Sequence, residues 1–242
     1  MSGELDRVKQ AIRERVWNTL DQAAVAAPRG AHGRIPDFQG ATEAAQRLAQ
    51  LSVWQRARVI KAVPDRPQLP VRVRALEDGK LVYMAVSKLA HRLPFYKLDP
   101  RELKAPFTEV ASNEGAASVA PKVGVDTMSA VDLVVCGSVA VNRAGARLGK
   151  GAGYADLELA FLQEAGLIGP ATMIVTTVHP LQVLDEPFPE AAHDFRMNLI
   201  VTPEEVIECG PSPRPAGVLW EQLSEEKIAT IPALAAHATR RR

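Results

Sequence analysis

The run Arg147-Leu148-Gly149-Lys150-Gly151-Ala152-Gly153-Tyr154-Ala155-Asp156 sets three glycines at alternate positions with two cations before and among them. Residues of these types at this spacing suit phosphate binding. Glycine lets the backbone approach an anion closely and turn successive N–H groups toward it, and a helix that starts behind the loop adds a partial positive charge. Arg147 and Lys150 would add full charges, and Asp156 is placed either to hold a magnesium ion or to cap the helix. A Walker loop would need Ser or Thr after Gly149-Lys150, where Gly151 stands; a dinucleotide fingerprint would need its third glycine one residue later and the loop directly after the strand.

Two elements must position the loop. Leu133-Val134-Val135-Cys136 reads as a buried strand, and Leu157, Ala160 and Phe161 give helical spacing closed by Gly166. From the spacing alone, a glycine-rich turn closed by a helix cap accounts for the run equally well. Upstream, Lys9 and Arg13 lie four residues apart and so share a helix face; read alone, they are a solvated basic face.

Asp132-Leu133-Val134-Val135, the stretch from Asn142 to Asp156, Gln182 and His193-Asp194 together resemble, in order and spacing, the 5-formyltetrahydrofolate cyclo-ligase family, also called methenyltetrahydrofolate synthetases. The family's R-x-G-x-G-x-G-Y-Y-D run is matched by Arg147, Gly149, Gly151, Gly153, Tyr154 and Asp156, with Ala155 where a second tyrosine is usual. Further segments are similar to a divergent cyclo-ligase-like branch whose animal members are called methenyltetrahydrofolate synthetase domain-containing proteins. They are Gly33 to Phe38, Pro64 to Gln68, Val139 to Asn142 and Thr177 to Pro180, and the likeness runs from about Val8 to about Pro232.

The resemblance implies ATP and Mg2+ as cofactors and a reduced folate or related heterocycle as the substrate. It implies that Lys9, Arg13, Arg147 and Lys150 balance triphosphate charge, that Gly149, Gly151 and Gly153 cradle it, that Tyr154 walls the site, and that Asp156 holds the metal. Arg147, Lys150 and Tyr154 are then the expected catalytic set. The family places a Glu, closely followed by Thr, at the start of the folate pocket. Here Asp65, Pro67 and Gln68 occupy that neighbourhood, so Asp65, Arg66 and Gln68 are the expected substrate-discriminating residues. The expected reaction converts 5-formyltetrahydrofolate to 5,10-methenyltetrahydrofolate, or acts alike on a related ring. The alternatives are an ATP-dependent enzyme of thiamine-related metabolism and a non-catalytic nucleotide-binding regulatory module.

With 242 residues, 47% hydrophobic and 24% charged, the chain is sized for one substantial core. A net charge of +1 with scattered basic residues gives no field favouring nucleic acid or a membrane, so neither is an expected partner; a monomer or homodimer is. Cys136 and Cys209 form no metal-binding spacing and no disulfide framework, and a reducing cytoplasm is expected.

Helical patterns cover about Glu4 to Ala27 and Thr42 to Leu51, and Val53 to Val63 reads as a strand region. Further strands are expected at Leu81 to Val86, Leu133 to Cys136, Met173 to Val178 and Leu199 to Thr202. Their alternation with helices predicts a three-layer α/β/α sandwich on a mostly parallel sheet. The resemblance implies the same fold, of the kind shared with ribose-phosphate isomerase and coenzyme A transferases. Residues 1–209 are the expected α/β domain. Residues 210–242 are an expected proline-rich linker, Gly210 to Pro215, and a packing arm carrying Trp220, Leu223, Ile228, Ile231 and Leu234, with Arg240 to Arg242 frayed. His179 reads as a structural histidine, His193-Asp194 as a pair that Asp194 orients, and Tyr83, Met84 and Phe95 as core residues or the wall of a pterin pocket.

Overall fold

A computed structural model describes residues 2–210 and 213–241 of the chain. The first half runs α1 (Ser2–Gln22), α2 (Ala41–Ala49), α3 (Ser52–Arg56), β1 (Val59–Ala62), α4 (Leu69–Glu77), β2 (Leu81–Ala85), β3 (Phe95–Leu98), α5 (Phe107–Val110), α6 (Asn113–Val119) and β4 (Lys122–Val123). The second runs β5 (Leu133–Cys136), β6 (Ala140–Asn142), β7 (Arg147–Leu148), α7 (Tyr154–Glu164), β8 (Met173–Thr177), β9 (Val183–Leu184), β10 (Leu199–Val201), β11 (Val206–Glu208), α8 (Glu225–Thr230) and α9 (Pro232–Arg241).

The main sheet has the order β11-β10-β8-β5-β1-β2-β3-β4. Its centre, from β10 to β2, is parallel, and β11, β3 and β4 join antiparallel at the two edges. All four residues of β5 are buried, as a strand covered on both faces requires. Alternation does the sorting: Val134 and Cys136 pack with α7 and α9, while Leu133 and Val135 pack with α2 and α4 on the opposite face. The expected three-layer α/β sandwich with a mostly parallel sheet is therefore the observed fold. A small sheet, β7-β6-β9, carries the chain from β5 into the glycine loop.

Strand order fixes where a site can form. From β1 the chain adds β2 on one side and then β5, β8 and β10 on the other, so the winding direction reverses between β1 and β5. Connections diverge at such a point and leave a crevice beyond the carboxyl ends of the two strands.

Several boundaries differ from the sequence reading. The first helix ends at Gln22 rather than Ala27, because Ala24 adopts a positive φ of 53° and the chain turns. The expected strand region from Val53 is corrected: Ser52–Arg56 is a helical turn that buries Trp54, and only Val59–Ala62 is extended. Tyr83, Met84 and Phe95 are fully interior, and the Tyr83 hydroxyl accepts the Ser129 N–H, so they build core rather than a pocket wall. In the C-terminal segment Val218, Ile231 and Leu234 join the core cluster around α7, with Trp220 and Leu223 against it. Pro211 and Ser212 of the expected linker lie outside the described residues, as does Arg242; the backbone of α9 runs through Arg241.

Candidate active site

The crevice between β1 and β5 opens into a cavity of about 470 Å³, a size that suits a nucleotide or cofactor-like ligand. The end of β1 contributes Val63, Pro64 and Asp65, the end of β5 contributes Gly137, and the whole loop from Gly149 to Gly153 forms one wall. Lys9 and Arg13 of α1 also line the cavity, with Arg13 against the glycine loop.

The loop owes its shape to backbone conformations that disfavour other residues. Gly151 has φ 100° and Gly153 φ 73°, the left-handed region where a Cβ is strained. Gly153 is the N-cap of α7, so the positive end of that helix faces the loop.

In α1, Ile12, Val16, Trp17 and Leu20 are buried at helical spacing, and Lys9 and Arg13 lie on the same stripe at 5% and 8% exposure. They are not the solvated basic face that their spacing alone suggests. Arg13 Nε donates to the Gly149 carbonyl at 2.7 Å, tying the first helix to the glycine loop 136 residues away. Burial lowers the Arg13 pKa; Asp6 raises it, and the neighbouring Arg147 guanidinium lowers it further.

Most of the cations here are already answered by carboxylates. Lys9 pairs with Asp194, Arg147 with both oxygens of Asp156 at 3.1 and 3.0 Å, and Lys150 with Asp65 at 3.3 Å. Arg13 makes no ion pair among the described residues and spends its donors on Gly149 and Gln10. Arg147 is 6% exposed; burial works against its charge, but the attraction of Asp156, with smaller help from Cys136 and Asp194, leaves its pKa raised. Its Nη1 donates to the Gly137 carbonyl at 2.8 Å, and its Nε is a buried donor with no partner.

Not every expected residue reaches the cavity. Tyr154, Asp156, Lys150, Gly149, Gly151, Gly153, Asp65, Lys9, Arg13 and Arg147 line it. Gln68 does not. It is fully buried behind the wall and donates through Nε2 to the Thr177 carbonyl and hydroxyl, which corrects the expectation of direct substrate contact. Arg66 turns away to pair with Asp37 on the surface. His179 caps the turn that follows β8, its Nδ1 accepting the Leu181 N–H at 3.2 Å, and burial lowers its pKa. His193 lies at the rim beside Asp194.

Three residues that matter here escaped the sequence reading. Arg72, 1% exposed, donates to the carbonyls of Val63, Pro64, Asp65 and Ala111 and so clamps the segment that presents Asp65; burial lowers its pKa to about 10. Lys61 and Glu158 form a buried pair beneath the cavity, with Glu158 lining it. Glu158 is the only charged residue in the otherwise apolar run Leu157–Leu162, and that was the available signal.

A larger cleft, about 710 Å³, opens at the amino-terminal ends of β5 and β8. Two of its polar side chains are already used: Asp132 accepts the Arg58 and Val59 N–H groups, and Asn198 accepts that of Ile174. It lacks the converging cations of the β1/β5 crevice. Among the described residues, no helix is long and apolar enough to cross a membrane.

Against known proteins, the model of the 5-formyltetrahydrofolate cyclo-ligase family matches residues 6–203. A methenyltetrahydrofolate synthase domain-containing protein of Mus musculus is 41% identical over 233 residues, covering 93% of this chain and 62% of its own length. Its Bos taurus counterpart is 40% identical over 233 residues, again over 93% of this chain and 60% of its own length. The chain thus spans less than two thirds of these relatives. The solved structure of a 5,10-methenyltetrahydrofolate synthetase from Aquifex aeolicus superposes with a TM-score of 0.55 at 18% identity, over 86% of this chain and 96% of that one, a likeness of fold.

Proposed function

This chain belongs to the 5-formyltetrahydrofolate cyclo-ligase family, and from that premise we propose that it is an ATP-dependent ligase that closes a nitrogen ring on 5-formyltetrahydrofolate or a related formylated heterocycle. The observation that carries the reading is the meeting, in one cavity, of the glycine loop with Lys9 and Arg13 from the far end of the chain, locked by the bond from Arg13 to Gly149.

ATP supplies the phosphoryl group that turns a formyl oxygen into a leaving group. The residues' task is then alignment and charge neutralisation, for which fixed donors in a water-poor crevice are effective. Arg13, which makes no salt bridge among the described residues, meets the triphosphate without first surrendering an ion pair. Lys9 and Lys150 exchange Asp194 and Asp65 for phosphate oxygens. Arg147 holds the Gly137 carbonyl and Asp156 in place at the base of the loop. The amides of Gly149, Gly151 and Gly153 complete the cradle, and Tyr154 walls the acceptor.

Among the described residues no trio of carboxylates, histidines or cysteines forms a metal cage. Asp156, held through both oxygens by Arg147, is the carboxylate beside the loop that would help hold a magnesium ion brought by the nucleotide. The other folate nitrogen, a secondary arylamine outside the pteridine ring, attacks the activated carbon; a carbon–nitrogen bond forms as that nitrogen gives up its proton, the carbon–oxygen bond breaks, and phosphate leaves with the former formyl oxygen.

The test is to mix the protein with magnesium-ATP and 5-formyltetrahydrofolate and follow the methenyl absorbance together with ADP. Stoichiometric appearance of both supports the reading; ATP binding with neither product rejects it for this acceptor.

A further inference from the structure

Lys61 occupies a position where the fold calls for an apolar side chain. Its neighbours along β1, Ile60 and Ala62, belong to the core on the α2/α4 face, so Lys61 must point to the α7 face, between Tyr83 and Val134 of the adjoining strands. It has no exposed surface. A buried ammonium is costly unless a carboxylate answers it, and Glu158 of α7 does so through Oε2. Such a pair is seldom retained for stability, since apolar residues of similar volume usually serve as well.

The carboxylate has one atom to spare. Glu158 is 3% exposed, and that exposure is to the cavity it lines. Oε1 takes no hydrogen bond from any described residue, yet it is not among the sealed, unpartnered atoms, so it is the oxygen open to a ligand. Asp65 shares that end of the cavity, and the Gln68 amide lies sealed behind its wall. Asp65 is close enough to push the Glu158 pKa upward, behind the larger effect of burial and against the pull of Lys61. A Cβ built on Gly137 would come within 3.1 Å of both Asp65 Oδ2 and Gln68 Oε1. Gln68 Oε1 is itself a buried acceptor without a donor, its amide oriented by the bond from Nε2 to the Thr177 carbonyl. The cavity is therefore bipolar, with donors and cations along the glycine loop and α1 and the carboxylates of Asp65 and Glu158 at the β1/β5 end.

We propose that Glu158, held by Lys61, is a specificity-determining residue that accepts hydrogen bonds from the N–H edge of the acceptor heterocycle, selecting rings that carry adjacent ring and exocyclic nitrogen donors over rings that carry carbonyl oxygens there. This deepens the ligase reading and rests on it. The class named is a 2-amino-4-oxo pyrimidine edge or its equivalent, because a fixed carboxylate oxygen rewards a donor and repels a carbonyl placed at the same point.

The experiment compares 6-methylpterin with 6-methyllumazine, which replaces the exocyclic amine by oxygen, binding to the full chain saturated with magnesium and a non-hydrolysable ATP analogue. Glu158→Gln alone strands the Lys61 ammonium and risks unfolding, so the principal variant is the double change Lys61→Met with Glu158→Met. Wild type should prefer the pterin by roughly tenfold or more, the usual worth of one charge-assisted hydrogen bond, and the double variant should lose that preference while keeping its affinity for the ATP analogue. Equal binding of the two rings by wild type, or a preference that survives in the double variant, overturns the assignment of Glu158. Absence of ATP-analogue binding in wild type instead overturns the ligase reading on which it rests.

Discussion

At the scale of single residues, the cavity shows how the same type of side chain takes different roles by its partners. Arg13 and Arg147 are neighbours, but only Arg147 is bound to a carboxylate. Arg13→Ala should therefore weaken magnesium-ATP binding by about 1.5–3 kcal/mol with little change in folding free energy, because it strands no buried charge. Calorimetric titration beside urea unfolding would check both halves of that statement. Arg147→Ala should do more, costing about 3–5 kcal/mol of stability as Asp156 loses its partner. Arg147→Lys should rescue it poorly, since an ammonium cannot reach Asp156 and Gly137 as a planar fork does. A double variant, Arg147→Ala with Asp156→Ala, that is no more stable than Arg147→Ala would count against the buried pair as the cause.

At the scale of elements, what could be read in the sequence was local. The glycine loop, β5 and the start of α7 form one contiguous stretch, and their order alone foretold a strand, a loop and a helix. Gly166, with φ 67°, ends α7 where a helix-stop signal was expected. What escaped was set by distance. Lys61 and Glu158 lie 97 residues apart, and a lysine between Ile60 and Ala62 reads as the solvent side of a strand until the sheet is known to be covered on both faces. Gln68 sat beside Asp65 in sequence, but a single turn of 3₁₀ helix from Arg66 to Gln68 rotates it into the interior.

The turn after β8 offers a test by pH. His179 has a pKa lowered by burial from an ordinary value of 6.5, and its Nδ1 must stay unprotonated to accept the Leu181 N–H. Its contribution to stability is therefore fully present above the ordinary value and is lost as pH falls below it, toward the depressed folded value. Urea unfolding at about pH 7.5 and about pH 5.5 should show a loss of stability at the lower pH that His179→Asn, a non-titrating cap, reduces. An equal loss in the variant would assign the effect to other groups.

At the scale of the whole molecule, the C-terminal segment is built into the core. Leu234 has no exposed surface and packs in the cluster that contains Leu157 and Phe161 of α7. Leu234→Ala should cost about 2–5 kcal/mol by leaving a cavity there, and a change below about 1 kcal/mol in denaturant unfolding would show that the segment is only loosely docked. Glu164 reinforces the attachment, accepting the Val218 N–H and contacting His237, which stacks on Trp220. Helix α7 is thus gripped at its far end by this segment while its first turn faces the glycine loop, and the sheet supplies the fixed frame between.

The whole account depends on a polyphosphate lying at the carboxyl ends of β1 and β5. A crystal structure with magnesium and a non-hydrolysable ATP analogue tests this most directly. The triphosphate should lie against the amides of residues 149–153, with Arg13 and Lys150 turned onto its oxygens. Density for the nucleotide in the cleft at the opposite end of the sheet, around Asp132 and Asn198, would contradict it.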